Sequence, residues 1–145
     1  MELIQCIDIA ASGMKAQRTR LNVISMNLAN ANTTRTAKGT PYRRKTTVFQ
    51  TTVIGNSFND QFRDSLECQI YGVKVSEIVP VSGDFKRIFD PSHPDADEKG
   101  YVYLPNVNLV QEMVQMLNAN RSYEANAAAL KTAKEMALKA LEIGR

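Results

Sequence analysis

His93 is the only imidazole in this chain of 145 residues, and it lies in the run Asp90-Pro91-Ser92-His93-Pro94-Asp95-Ala96-Asp97. That run is the first place to look for acid–base or metal chemistry. Such chemistry needs a base held against a reacting proton, or ligands converging from fixed elements. The prolines and aspartates here describe a turn-rich loop instead, and one imidazole among scattered carboxylates is not a constellation. Cys6 and Cys68 lack the paired spacing of a zinc or redox site, so both are expected to be free and to pack as small apolar groups. Met14, Met26, Met113, Met116 and Met136 read as packing residues. There is no glycine-rich phosphate loop and no His-Glu pair at helical spacing. The residue types therefore predict no enzyme, no cofactor and no metal site.

Charge gives a sharper lead. Arg35, Lys38, Arg43, Arg44 and Lys45 form a basic block without an acidic member, whereas Asp84, Asp90, Asp95, Asp97 and Glu98 outnumber Lys86 and Arg87. Two readings are open: the blocks are two solvated loop faces, or Arg43 and Arg44 meet Asp95 and Asp97, within a subunit or between neighbours, and set register more than affinity. The net charge of +3 is spread evenly, with one excess basic residue in each of the stretches 1–32, 33–104 and 105–145. Such a balance does not call for nucleic acid, and only Tyr42 stands beside the basic block as a stacking aromatic. Asn32-Thr33-Thr34 and Asn120-Arg121-Ser122 match the glycosylation sequon, a pattern too short to carry weight. No apolar run reaches the roughly 18 residues of a membrane span, so no direct membrane insertion is expected. Glu2 and Asp8 precede the first basic residue, Lys15, which is the wrong charge order for a cleaved secretory signal.

The elements that must position these residues are dominated by the two ends. From Leu109 to Ile143 there is no Pro and no Gly, and Asn108 with Gln111 three places on is a capping-box start, with Gly144 as the stop. Alternating steps of four and three pick out Leu109, Met113, Met116, Asn120, Tyr123, Ala127, Leu130, Lys134, Ala137 and Leu141 as a seam. The opening segment repeats the pattern with Leu3, Ile7, Ala10, Met14, Gln17, Leu21, Ile24 and Leu28, and frays at Asn30-Ala31-Asn32. Between them, Tyr42–Ile54, Tyr71–Pro80 and Phe85–Phe89 have strand composition, residues 56–67 read as a loop, and Tyr101–Leu104 is an extended approach to the second helix. The predicted fold class is α+β. Long N- and C-terminal helices (1–32 and 105–145) form an antiparallel coiled-coil hairpin, about 45 and 55 Å long at 1.5 Å per residue, with a small β-rich insert (33–104) at one end.

Both helices are apolar beyond one face: Val110, Val114, Leu117, Met136 and Leu138 lie off the second seam, and Ile4, Ile9, Val23 and Met26 off the first. A lone hairpin covers about one face of each, so such helices are expected to be poorly ordered alone and to complete their burial against copies and relatives. A soluble hairpin adaptor for one partner helix is the alternative, and it would need a polar face that this pattern lacks.

Ser25-Met26-Asn27-Leu28-Ala29-Asn30-Ala31-Asn32-Thr33 resembles the N-terminal signature of the bacterial flagellar axial proteins, the rod and hook components. Met113 to Asn126, with Arg121-Ser122-Tyr123-Glu124-Ala125-Asn126, resembles their C-terminal signature. The 90–97 run, followed by Gly100-Tyr101-Val102 and Pro105-Asn106-Val107, is similar to the proximal-rod members in particular. Residues 55–69 match no part of that pattern, and the Gly usual after the first Asn-rich stretch is displaced to Gly39. The resemblance implies a non-catalytic subunit of the rod, the periplasmic drive shaft, exported by the flagellar type III apparatus without a cleaved signal. It implies as partners further copies, neighbouring rod proteins and the adaptor linking rod to membrane ring. The expected assembly contacts are then Leu3, Ile7, Met14, Leu21, Ile24, Leu28, Leu109, Met113, Met116, Tyr123, Ala127, Leu130, Ala137 and Leu141, with Asn30 and Arg121 from the two signatures.

Overall fold

The computed structural model describes residues 2–54 and 71–144. The loop expected at 56–67, and Cys68, lie outside the described residues. In chain order the elements are α1 (Glu2–Ala29), β1 (Lys45–Val53), β2 (Tyr71–Pro80), β3 (Lys86–Phe89), β4 (Tyr101–Leu104) and α2 (Leu109–Ile143). The chain is thus α+β, with a long helix at each end and two small antiparallel sheets between.

Helix α2 starts where the sequence places it, because the Asn108 side chain accepts from the amides of Val110 and Gln111 at 3.1 and 3.3 Å and so satisfies two of the free first-turn donors. At the other end the amide of Gly144 closes on the Ala140 carbonyl at 3.2 Å. Helix α1 ends at Asn30, whose Nδ2 donates to the Met26 carbonyl and whose Oδ1 accepts from Thr33. The amides of Ala31 and Thr33 take the Leu28 and Asn30 carbonyls as the chain turns into the insert.

The two helices pack antiparallel in one register. Asn27 bonds Glu112, and a side chain built at Gly13 would meet Asn126 at 2.9 Å, so both pairs share a residue-number sum of 139. What fills the contact is small: Ala10 and Ala16 are buried on α1, and Ala119 and Ala133 on α2. Side chains of one or no carbon let the backbones come close, with Val23 and Ile24 supplying most of the apolar bulk. On α1 the predicted seam faces inward: Ala10 and Ile24 are buried, and Ile7, Met14, Gln17, Leu21 and Leu28 half-buried.

The face of α2 is turned relative to expectation. Glu112, Ala119 and Ala133 point inward, each one position before the expected Met113, Asn120 and Lys134. One position is about 100° of rotation. Met116, Ala127, Leu130 and Ala137 remain at the edge of the contact, whereas Leu109, Met113, Tyr123 and Leu141 are exposed.

The insert is not confined to one end, as the sequence suggested. Strands β1 and β2 form a ribbon that runs back along α1, from Lys45 beside Asn27, past Phe49 under the Arg20 guanidinium at 5.9 Å, to Val73, whose amide donates to Ser12 Oγ at 3.1 Å. Its register shifts between Val48 and Phe49, leaving Ser76 as the extra residue of a bulge. The second ribbon pairs Lys86 with Leu104 through to Phe89 with Tyr101. Gly100 turns it with a φ of 78°, where a Cβ would also sit 3.0 Å from the Phe89 ring. His93 serves the 90–97 loop, its Nδ1 accepting from the Asp95 amide at 3.1 Å.

Gly72 is the tightest point of the ribbon on the helix. A Cβ there would lie 2.6 Å from Ile54 Cδ1 and 2.9 Å from Ser12 Oγ. Gly72→Val is expected to lift β2 from α1 and to lower stability by about 1–3 kcal/mol, read as the shift in a urea unfolding midpoint at unchanged slope.

Candidate assembly surface and the buried joint behind it

The largest fully buried side chains of the described residues are polar: Glu112 and Asn27, both at 0% exposure. Burying an amide and a carboxylate is unfavourable unless every polar atom finds a partner. Here they do. Asn27 Nδ2 donates to the Lys45 carbonyl at 2.8 Å and to Glu112 Oε2 at 3.0 Å. Its Oδ1 accepts from the Lys45 amide at 2.9 Å and the Tyr42 hydroxyl at 3.0 Å. The other oxygen of Glu112 accepts from Arg44 Nε at 2.6 Å, and Arg44 Nη2 reaches Gln115 Oε1 at 3.2 Å.

The joint also gathers the crossings of the insert. The Arg44 amide donates to Asn106 Oδ1 at 3.0 Å, Asn106 Nδ2 donates to the Val81 carbonyl, and the Val81 amide donates to the Arg44 carbonyl at 2.8 Å. Thus the end of α1, the residues just before β1 and just after β2, the approach to α2 and its first turn meet at one place. This fits β1 beginning at Lys45 rather than at Tyr42: the Tyr42 hydroxyl and Arg44 are spent on the joint, and the Tyr42 amide turns back to the Thr33 carbonyl at 3.2 Å. Burial pushes the Tyr42 hydroxyl above its ordinary pKa of 10.0, and the Glu112 carboxylate adds to the shift in the same direction.

The two charge blocks meet within the chain through other members than expected. Arg44 is committed to Glu112, and Arg43 lies over the Phe85 ring at 4.7 Å. Asp95 takes Arg35 at 3.8 Å and the Thr34 hydroxyl at 2.7 Å, while Asp97 accepts from the Glu98 amide at 2.9 Å. Arg35 is 72% exposed, so that pair is a weak tie in solvent. It holds the 90–97 loop beside the 33–41 turn, around an open hollow of about 280 Å³ lined by Pro41, Pro94 and Tyr103.

Outside the joint the helices are strongly apolar. Leu109, Val110, Met113, Val114 and Leu117 are all exposed, Val110 at 71% and Leu117 at 60%. At 100° per residue they cover an arc of about 140° on the first half of α2. Beside them Leu21, Met113, Met116, Leu117 and Asn120 line an open groove of about 540 Å³. The second half exposes Met136, Leu138 and Leu141, and Arg121 to Ala125 are exposed in succession. On α1, Ile4, Ile9 and Met26 are exposed. Leu3 lies outside the residues whose side chains are described. Cys6 is a free thiol, but an exposed one, not the buried apolar group expected of it. Among the described residues no three His, Cys, Asp or Glu side chains gather as a metal would need, and no helix is long and apolar enough to cross a membrane.

An apolar outer face held in one register by a buried joint is the geometry of a part made to be packed, and the comparisons with known proteins agree. The family model described as flagella basal body rod protein matches residues 7–35, and that of the flagellar basal body rod FlgEFG protein C-terminal matches residues 98–143. The chain is 44% identical to the flagellar basal-body rod protein FlgC of Borreliella burgdorferi over 99% of its own length and 98% of the relative's. It is 42% identical to FlgC of Bacillus subtilis and 41% to FlgC of Escherichia coli, over the full length of both chains in each case. The chain belongs to the FlgC family of flagellar basal-body rod proteins. It is a structural rod subunit and not an enzyme.

Neither spacing nor composition marks Asn27 and Glu112 as buried partners, although each leaves a trace in the sequence. Asn27 shares a helix face with Val23, Ile24 and Ala31, so a buried amide in need of partners could have been inferred. Glu112 is the first acid of α2 and lies a turn before Met116. Their pairing, 85 residues apart, has no local signature.

Glu112→Ala leaves Arg44 and Asn27 without their buried partner, and is expected to lower stability by roughly 3–5 kcal/mol in urea unfolding. The raised Tyr42 pKa means the folded chain holds that proton more tightly than the unfolded one. Its contribution is present in full below about pH 10 and is lost as pH rises through the folded value. The thermal midpoint of Tyr42→Phe should therefore fall less steeply above pH 10 than that of the parent chain, and equal slopes would exclude the effect.

Proposed function

We propose that the chain enters the rod through its terminal helices, that these supercoil as a coiled coil, and that the assembled rod is the periplasmic shaft carrying torque from motor to hook. The observation that carries this reading is the exposed arc from Leu109 to Leu117, too wide and too apolar for a finished surface. Head-to-tail contacts whose rotation does not close would extend such subunits into a helical tube. The neighbours are further copies and other rod proteins, with an adaptor joining the rod to the membrane ring. Export proceeds through the flagellar type III apparatus without a cleaved signal. The stretches 1–32 and 105–145 do the assembling, the helix order is completed by the neighbours, and 33–104 orients the pair.

The expected contacts divide by position. Leu109, Met113, Arg121, Tyr123 and Leu141 already face outward, whereas Ile24 is used up inside the chain and Ile7, Met14, Leu21, Leu28, Asn30, Met116, Ala127, Leu130 and Ala137 stand at the rim. A contact of Arg43 or Asp97 with a neighbour belongs to the same proposal, since both are exposed. A hairpin adaptor is disfavoured by apolar exposure on more than one side of α2.

Leu117 separates assembly from folding, being exposed in the single chain. Leu117→Asp should leave the unfolding free energy within about 0.5 kcal/mol of the parent, and yet leave cells non-motile, because a buried unpaired charge is not tolerated once neighbours close over it. Normal swimming and normal rods in that variant would refute the reading.

A further inference from the structure

The apolar seam between α1 and α2 does not by itself choose a register. On α2 the residues at the closest approach, Ala119, Asn126 and Ala133, recur one heptad apart, a slide of about 10.5 Å. Gly13 presses against Asn126 in the structure. Ala119 or Ala133 is smaller and would admit Gly13 as readily, so the close contact at Gly13 does not by itself exclude registers seven residues to either side.

The polar joint permits one. The four hydrogen bonds of Asn27 are made with α2 and the Tyr42–Lys45 segment together. A slide of one heptad sets Asn27 opposite Pro105, which has no N–H, or Ala119, which has no polar side chain. Either way a buried amide and carboxylate lose partners. We propose that Asn27, Arg44 and Glu112 form the register selector of the helix pair: they discriminate against slipped hairpins rather than supply net stability. A single polar residue fixing the alignment of apolar helices is a known use of such groups, and its usual accompaniment is that apolar replacement does not destabilise. Since Arg44 also binds Asn106 and Val81, the same selector sets where the β1–β2 ribbon leaves the helices.

The test uses the purified full chain with Cys6→Ser and Cys68→Ser, so it does not depend on rod assembly. Gly13→Cys is combined in turn with Asn126→Cys, Ala119→Cys or Ala133→Cys, and intramolecular disulfide is read after oxidation with glutathione. With the joint intact, the pair 13/126 alone should close. With Asn27→Leu, Arg44→Met and Glu112→Leu together, closure of the two slipped pairs should rise at least about tenfold while the helical circular dichroism is kept. Glu112→Gln, which keeps the size and removes the charge, is the milder second variant and should raise slipped closure detectably. The proposal is overturned if slipped pairs close equally in the intact chain, or if they stay open in both variants. It falls as well if both variants lose their helical circular dichroism, for the joint would then hold the fold instead of choosing its alignment.

Discussion

A carboxylate and an amide with no solvent exposure, Glu112 and Asn27, form the contact on which the rest of this molecule depends. Their burial is expensive, and it is tolerated because five hydrogen bonds converge on them from three separate parts of the chain. A buried ion pair is weak grounds for claiming stability, since desolvation offsets most of the attraction. Its effect is directional instead. It turns α2 so that Glu112, and with it Ala119 and Ala133, faces α1, and in doing so rotates Met113 and Leu117 outward.

That rotation decides what kind of surface results. Had Met113 and Leu109 faced α1, the hairpin would have buried its bulky residues and presented a more polar outside. With Gly13, Ala16 and Ala119 in the contact, the backbones approach closely and little apolar area is used internally. A side chain can be buried once. What the chain does not bury within itself stays available to neighbours, so a small-residue contact inside and an apolar arc outside are two results of one choice of face.

Elements were legible in the sequence, and faces were not. The absence of Pro and Gly from 109 to 143, with Asn108 ahead and Gly144 behind, marks α2 to within a residue, and the alternation from Tyr71 to Val75 marks β2. These are local signals. The inward face of α2 is a different matter, because Leu, Met, Val and Ala surround the helix and give the period little contrast. What breaks the tie is one acid at 112 whose partners lie 68 and 85 residues away. The start of β1 has a related cause: Tyr42 to Arg44 have strand composition, but Tyr42 bonds Thr33 and Asn27, and Arg44 is taken by Asn106 and Glu112. The course of the ribbon along α1 rests on a bond from Val73 to Ser12 that no periodicity announces.

The ribbon also makes the two ends of the chain unequal. Strands β1 and β2 lie against α1, and α2 packs against α1 alone among the described elements. Helix α1 is thus covered from two directions, and leaves Ile4, Ile9 and Met26 as its large exposed apolar residues. Helix α2, covered from one, leaves nine from Leu109 to Leu141, both counts taken among the described residues. Apolar burial scales with area removed from water, so the helix with more uncovered area has more to gain from a neighbour. On the proposed mode of assembly, α2 would then carry the greater part of the drive, with α1, fastened to the ribbon, as the rail on which α2 is held.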